Sequence, residues 1–441
     1  MKKIYSTISM LLLPIMLMAQ GIEFEKGTLK EALEKAKQEN KLLFIDGYAV
    51  WCGPCKKMDK TVFKEAEVGA YFKENLVALK VDVEKGEGPA IKEKYEIHGL
   101  PGYVFIDGEG EVVYRLSGFM PTEKFLEEVK LAVKYFKDPQ SVGRLAGQYE
   151  KKKEDEGFLK LYLDKLKASN MTGYSEILEQ YLRVQKSHKE SSKEMVLLLA
   201  DHHKEIVIGG EAYQIYLDNM GTDEWKKYVR KDIREIYLNL PKMAINQTTE
   251  YAISKKDTTY LELALEEAVR IGQKVGKAQR DRVYTYYYLN AKLGEKYKAM
   301  VYGGNDAFVK SLDVEKLRAN YIDVTTRQQQ GDKDVMGVRP FSVGKSQQIS
   351  GMVKAYAEFA TTEKDKEDVL RWMEVAYYIT PGTYLTMSDY ANILYMFGDN
   401  KEEALKIKSE AYELAVKEHY KRVDTIKAEL EAMKEGEEIT L

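Results

Sequence analysis

The stretch that most limits what this chain can fold into is KLLFIDGYAVWCGPCKKM, residues 41–58. An apolar run stops there at the chain's only two cysteines, and a helical pattern begins. Met58, Val62, Phe63 and Ala66 follow Cys55 at the spacing of one helix face. A strand that runs into a helix at Cys-x-x-Cys puts Cys52 at the exposed helix N-terminus and Cys55 one turn in, more buried. Unpaired N–H groups and the helix dipole favour a negative charge at that end, so a Cys52 thiolate is stabilised there. Cys52 is then the attacking sulfur. Gly53 and Pro54 shape the helix start, where proline's missing N–H costs nothing. Trp51 reads as a lid beside the thiol. Asp46, six residues before Cys52, falls on the apolar strand; burial would raise its pKa and suit it to proton transfer.

Two other uses of a cysteine pair fit poorly. A disulfide between Cys52 and Cys55 closes a tiny loop and constrains the unfolded chain little. A structural zinc site usually takes four ligands, and the five histidines, at 98, 188, 202, 203 and 419, form no second half-site. No metal and no cofactor beyond the cysteine pair is expected, and no G-x-G-x-x-G follows a strand to hold a dinucleotide. Redox exchange remains.

The start of the chain sets a compartment. Residues 1–19, MKKIYSTISMLLLPIMLMA, combine two lysines, a short apolar run and a small residue before a polar stretch. This is the pattern of a cleaved secretory signal, and the run is too short to span a bilayer. The mature chain is expected to be periplasmic or secreted, without membrane insertion. A formal net charge of −3 with 32% charged residues gives no reason to expect nucleic acid or an anionic membrane as partner.

Six of the nine prolines fall within the first 140 residues. Up to there the pattern alternates: TLKEALEKAKQEN as helix, KLLFIDGYA as strand, a helix from the cysteines to about Phe72, then LVALKVDV, PAIKEKYEI, GYVFID, EVVYRL and TEKFLEEVKLAVKYF. DGEG, residues 107–110, supplies a hairpin turn. Strand–helix–strand followed by a hairpin and helix implies a mixed sheet flanked by helices, an α/β domain over 20–138. Residues 139–441 read as an all-α domain of helical hairpins. The polar run TTRQQQGDKD, residues 325–334, reads as a loop. Ala376, Pro381, Ala391, Gly398, Ala404 and Ala411 recur with small residues where paired helices would cross, so that 352–418 resembles tetratricopeptide repeats.

FIDGYAVWCGPCKKM together with HGLPGYVFIDGEG, residues 98–110, resembles the thioredoxin family, over about residues 25–137. The likeness is strongest to small exported thioredoxin-like proteins and to the periplasmic domain of transmembrane disulfide reductases. TVF at 61–63, GLP at 99–101 and SGFM at 117–120 are shared features. The resemblance implies an exported protein-disulfide reductase in which Cys52 attacks, Cys55 resolves and Asp46 is the buried acid. Pro101 matches the family's cis-proline, leaving the Leu100 backbone free to pair with an extended substrate. Asp59 matches a second acidic position of the reductase domains. Gly102 departs from the usual threonine, and Ala78 stands where many thioredoxins have a lysine near the acid. Gly-Pro between the cysteines is the dipeptide of reducing members, near about −270 mV against about −120 mV for a strong oxidant. The partners implied are disulfide-containing exported proteins and a membrane-embedded thiol donor, with the helical domain recruiting clients. A redox-sensitive scaffold, an isomerase or an oxidant are the alternatives.

Overall fold

The computed structural model describes residues 21–420 and 423–439; the expected signal segment, 1–19, lies outside them. By internal contact the chain divides into one unit ending at Thr172 and another beginning at Gly173.

The first unit is built on a five-stranded sheet in the order β1-β3-β2-β4-β5. Its strands are β1 (Phe24–Glu25), β2 (Leu42–Tyr48), β3 (Leu76–Asp82), β4 (Gly102–Ile106) and β5 (Val112–Ser117). Helix α1 (Leu29–Glu39) starts at a capping box, Thr28 with Glu31, and stops at Asn40 in the left-handed region. Strands β1, β3 and β2 are parallel, whereas β4 runs antiparallel to β2 and β5 antiparallel to β4. Asp107 fastens the β4–β5 hairpin by accepting from the backbone N–H of Glu109 and Glu111, and Gly110 sits at φ +85°.

The cysteine stretch starts α2 (Gly53–Lys60), which does not continue to Phe72. It breaks at Thr61, passes a single 3₁₀ turn at Val62–Lys64, and resumes as α3 (Ala66–Asn75). Adjacent β-branched Thr61 and Val62 weaken the helix there, and the freed Phe63 carbonyl accepts from Ile22 N–H. Val62 and Phe63 both turn into the core. Next come α4 (Gly88–Lys94) and α5 (Thr122–Lys137).

Strand alternation divides the core into two layers. Leu43 and Ile45 face Ala32, Ala36, Tyr95 and Ile97. Leu42 and Phe44 face an aromatic layer that includes Phe63, Phe72, Tyr103, Phe105 and Phe125. Phe44 stands 5.0 Å from Phe72 and 5.1 Å from Phe105, ring to ring. Asp46, next on that face, therefore enters an apolar layer.

The unit does not end at 138. KDPQS is a tight connection to α6 (Val142–Ala146), followed by α7 (Tyr149–Lys152) and α8 (Glu156–Ala168). Helix α6 packs on β5, Lys165 pairs with Asp138, and Asn170 Nδ2 donates to Tyr114 Oη at 3.2 Å. These ties hold thirty-odd residues past the expected boundary to the first unit.

The second unit is helical, from α9 (Ser175–Val184) to α22 (Val423–Glu435). The rings of Tyr213, Tyr216, Tyr237 and Trp225 pack in tilted contacts inside it. In the tetratricopeptide-like stretch, α19 (Glu363–Ile379), α20 (Tyr384–Phe397) and α21 (Lys401–Lys417) bury Ala376, Ala391, Ala404 and Ala411 completely in a shared core. Small residues serve close helix crossings in bundles of many kinds, so this speaks for the packing and leaves the repeat unassigned. Thr325–Gln329 closes a helix, α17 (Val314–Gln329), so only the second half of the polar run 325–334 is a loop.

Candidate active site

Cys52 and Cys55 are joined as a disulfide. Cys52 is the N-cap of α2, and its sulfur accepts from Cys55 N–H at 3.2 Å. Both cysteines are 2% exposed, so the expected contrast between an open Cys52 and a buried Cys55 is absent. Ala49, Tyr48 and Leu100 pack around the pair. Gly53 and Pro54 are exposed at the helix start. Trp51 is 37% exposed, and its indole Nε1 donates to the Glu84 carboxylate at 2.9 Å. Nothing in the local sequence around Trp51 marks Glu84, 33 positions on, as that anchor.

Leu100–Pro101 is a cis peptide, and the Pro101 carbonyl accepts from Gly118 N–H at 2.8 Å. Gly102 has a steric reason. A Cβ there would lie 2.5 Å from Ile97 Cγ2 and 2.6 Å from the Gly99 carbonyl. The 97–99 turn folds back on β4 so closely that the threonine expected here has no room.

Lys80, Asp46 and Tyr103 lie side by side across β3, β2 and β4. Asp46 is 1% exposed, and burial pushes its pKa up to about 6 against the pull of Lys80. Lys80 Nζ donates to Asp46 Oδ2 at 3.0 Å and also pairs with Asp59 on α2. Burial acts to lower the Lys80 pKa, but the two carboxylates outweigh it and the pKa is raised. Its ammonium lies 4.7 Å from the Tyr48 ring centroid and 5.3 Å from that of Phe24. Asp46 Oδ1 has no hydrogen-bond partner.

The lysine missing at Ala78 is thus supplied two residues on, by the residue in register with the acid. Lys80, on the face of Ala78 in the run LVALKVDV, is the available signal: a strand lysine on the core face needs a carboxylate. Among the described residues no cluster of three or more His, Cys, Asp or Glu is placed to hold a metal. A cavity of about 900 Å³ is lined from β1, α1, α3 and β3 and includes neither cysteine.

A mixed sheet carrying a disulfide at a helix N-terminus, with a cis-proline in the adjoining loop and a buried acid on the neighbouring strand, is the arrangement of a thioredoxin-like domain. The model of the thioredoxin-like domain family matches residues 29–132, and this domain belongs to that family. Among its relatives, the thiol:disulfide interchange protein DsbD of Vibrio vulnificus is 36% identical over 106 residues, 23% of this chain and 18% of that protein. Thioredoxin-1 of Drosophila melanogaster is 38% identical over 68 residues, 15% of this chain and 59% of that one. The solution structure of a candidate disulphide-isomerase from Bacteroides thetaiotaomicron is 47% identical, covering 26% of this chain and 95% of that one, with a TM-score of 0.25. The chain spans about a fifth of the length of its DsbD relatives.

Proposed function

We propose that this chain is an exported protein-disulfide reductase. The reduced enzyme's Cys52 thiolate attacks one sulfur of a client disulfide. A mixed disulfide forms and one client thiolate leaves. The Cys55 thiol gives up its proton, with Asp46 as acceptor, and attacks Cys52 Sγ. The Cys52–Cys55 bond closes and the second client thiolate leaves, so two electrons pass to the client. A dithiol donor, which we place in the membrane, returns them.

The observation that carries this reading is the Cys52–Cys55 pair capping α2, with a carboxyl whose pKa burial raises to about 6 against the pull of Lys80 on the neighbouring strand. Leu100, against the cysteines, offers backbone for an extended client segment. Reduction rather than oxidation rests on the Gly-Pro dipeptide. Export rests on the leader-like residues 1–19; among the described residues no helix is long and apolar enough to cross a membrane. The helical unit is assigned to client or partner recruitment. Its support is exposed Met336, Val338 and Phe341, three large apolar side chains within six residues.

Cys55→Ala tests the reading, because it should strand clients on Cys52 as mixed disulfides in cells. Wild type should reduce insulin with dithiothreitol, and its potential should lie nearer about −270 mV than about −120 mV. A potential at the oxidising end, or rescue of scrambled substrates without net reduction, would move the assignment to oxidant or isomerase. Failure to trap any client would leave a redox-sensitive scaffold. Deleting 173–441 without changing the trapped clients would remove the recruitment role.

A further inference from the structure

The loop that carries the cis-proline has a second side. There it borders a cleft of about 370 Å³, lined by His98 and Gly99, Gly102 of β4, Arg115 and Ser117 of β5, and Asn170 among others. Arg115 is the cation of this cleft. Its side chain is 15% exposed, and Nη2 lies 3.4 Å from Glu96, whose side chain is 46% exposed. Nη1 donates to the carbonyl of Tyr95, the C-cap of α4. Nε is buried and has no hydrogen-bond partner.

Capping α4 accounts for one of the guanidinium's donors. Glu96, the acidic side chain among the residues lining the cleft, pairs with the guanidinium at 3.4 Å but is half in solvent, where such a pair is weakened. The cation is thus largely withdrawn from water and under-compensated, and its burial lowers its pKa. Guanidinium favours a planar, two-oxygen partner. Ile97, His98, Gly99 and Gly102 form one wall of this cleft, and Leu100, in the same loop, packs against the disulfide. A client segment laid along that loop would reach both.

We propose that this cleft receives an Asp or Glu side chain of the client, a few residues from the cysteine under attack, so that Arg115 selects acidic segments. The proposal rests on the reductase reading and leaves its electron transfer unchanged. Arg115 acts on substrate choice, not on the sulfur chemistry.

The test uses the full chain, dithiothreitol as electron source, and three peptides closed by one disulfide. They differ only in carrying Glu, Gln or Lys beside the cysteines. Wild type should reduce the Glu peptide with a kcat/KM about tenfold above that of the Gln peptide, as one charge-assisted hydrogen bond allows. The gain should lie mainly in KM and shrink as salt rises. Arg115→Gln should erase it while the Gln-peptide rate holds. Glu96→Gln removes the competing carboxylate, leaves the bond to Tyr95 intact, and should widen it. The Glu96→Gln arm stands even if Arg115→Gln fails to fold. Equal rates for the Glu and Gln peptides in wild type overturn the proposal alone, as does an advantage that Glu96→Gln leaves unchanged. No reduction of any peptide overturns the reductase reading and this proposal with it.

Discussion

Replacing Asp46 by asparagine should stabilise the first unit at neutral pH. The carboxyl sits in the aromatic layer with one oxygen unpartnered, and its pKa is pushed from 3.8 up to about 6. At 1.36 kcal/mol per pH unit, ionising it in the folded chain costs about 3 kcal/mol more than in the unfolded chain. Lys80 is already contained in that figure, because the value near 6 is the balance of burial against its charge. Between pH 3.8 and about 6 the folded chain binds more protons at this group than the unfolded chain does. Its contribution is therefore most favourable below 3.8 and is lost as pH rises through 6. Asparagine keeps the shape and abolishes the charge. The difference in stability between variant and wild type should be close to constant below pH 4, grow across pH 4–6, and reach about 3 kcal/mol by pH 7–8. Native-state hydrogen exchange of β2 and β3 amides in the oxidised protein reads this for the first unit without requiring the whole chain to unfold at once. Insulin reduction should fall in the same variant, since the proposed mechanism makes Asp46 the proton acceptor of Cys55. A variant no more stable than wild type at pH 8, or a difference independent of pH, would refute the account of Asp46 as a strained buried acid.

Other perturbations probe separate parts of the structure. Lys80→Met takes the cation from Asp46, so the lower limb of the pH–rate profile should shift to higher pH; an unmoved profile would remove Lys80 from the site. Gly102→Ala forces the 97–99 turn off β4 and should cost about 1–3 kcal/mol, with reduced insulin turnover as Leu100 is displaced; calorimetry and the insulin assay check both. In the helical unit Lys408 is fully buried, bonded to Ser388 Oγ at 2.6 Å and Asn392 Oδ1 at 2.7 Å, and paired with Glu429 of α22. Glu429→Ala strands that ammonium and should destabilise the unit by more than Lys408→Met, in a denaturant titration followed at Trp372. The reverse order would mean that the ion pair is not what fastens α22.

How far the sequence carried the site depends on which part of it is local. Cys52 at a helix cap, Asp46 on a strand and a hairpin at DGEG are set by neighbours along the chain, and the pattern of apolar residues locates each. Lys80, Glu84 and the Gly102–Ile97 contact are set by register and by loops folding back, which no window of neighbouring residues contains. The burial of Cys52 is hidden from the sequence for the same reason: a helix N-terminus is open by itself, but Leu100 arrives from 48 positions away and packs against it. The first unit ran on past 138 because α6 adds to the sheet's outer strand, a long-range contact hidden behind a turn-rich KDPQS. Lys80 shows that some of this was recoverable. Strand alternation puts it on the face of Ala78, inside the core layer, and a cation on that face requires a carboxylate within reach. Pairing LVALKVDV with LLFIDGY so that both apolar faces coincide brings Asp46 opposite Lys80. Sheet register, worked out before residues are matched to a family position by position, would have found the acid's partner.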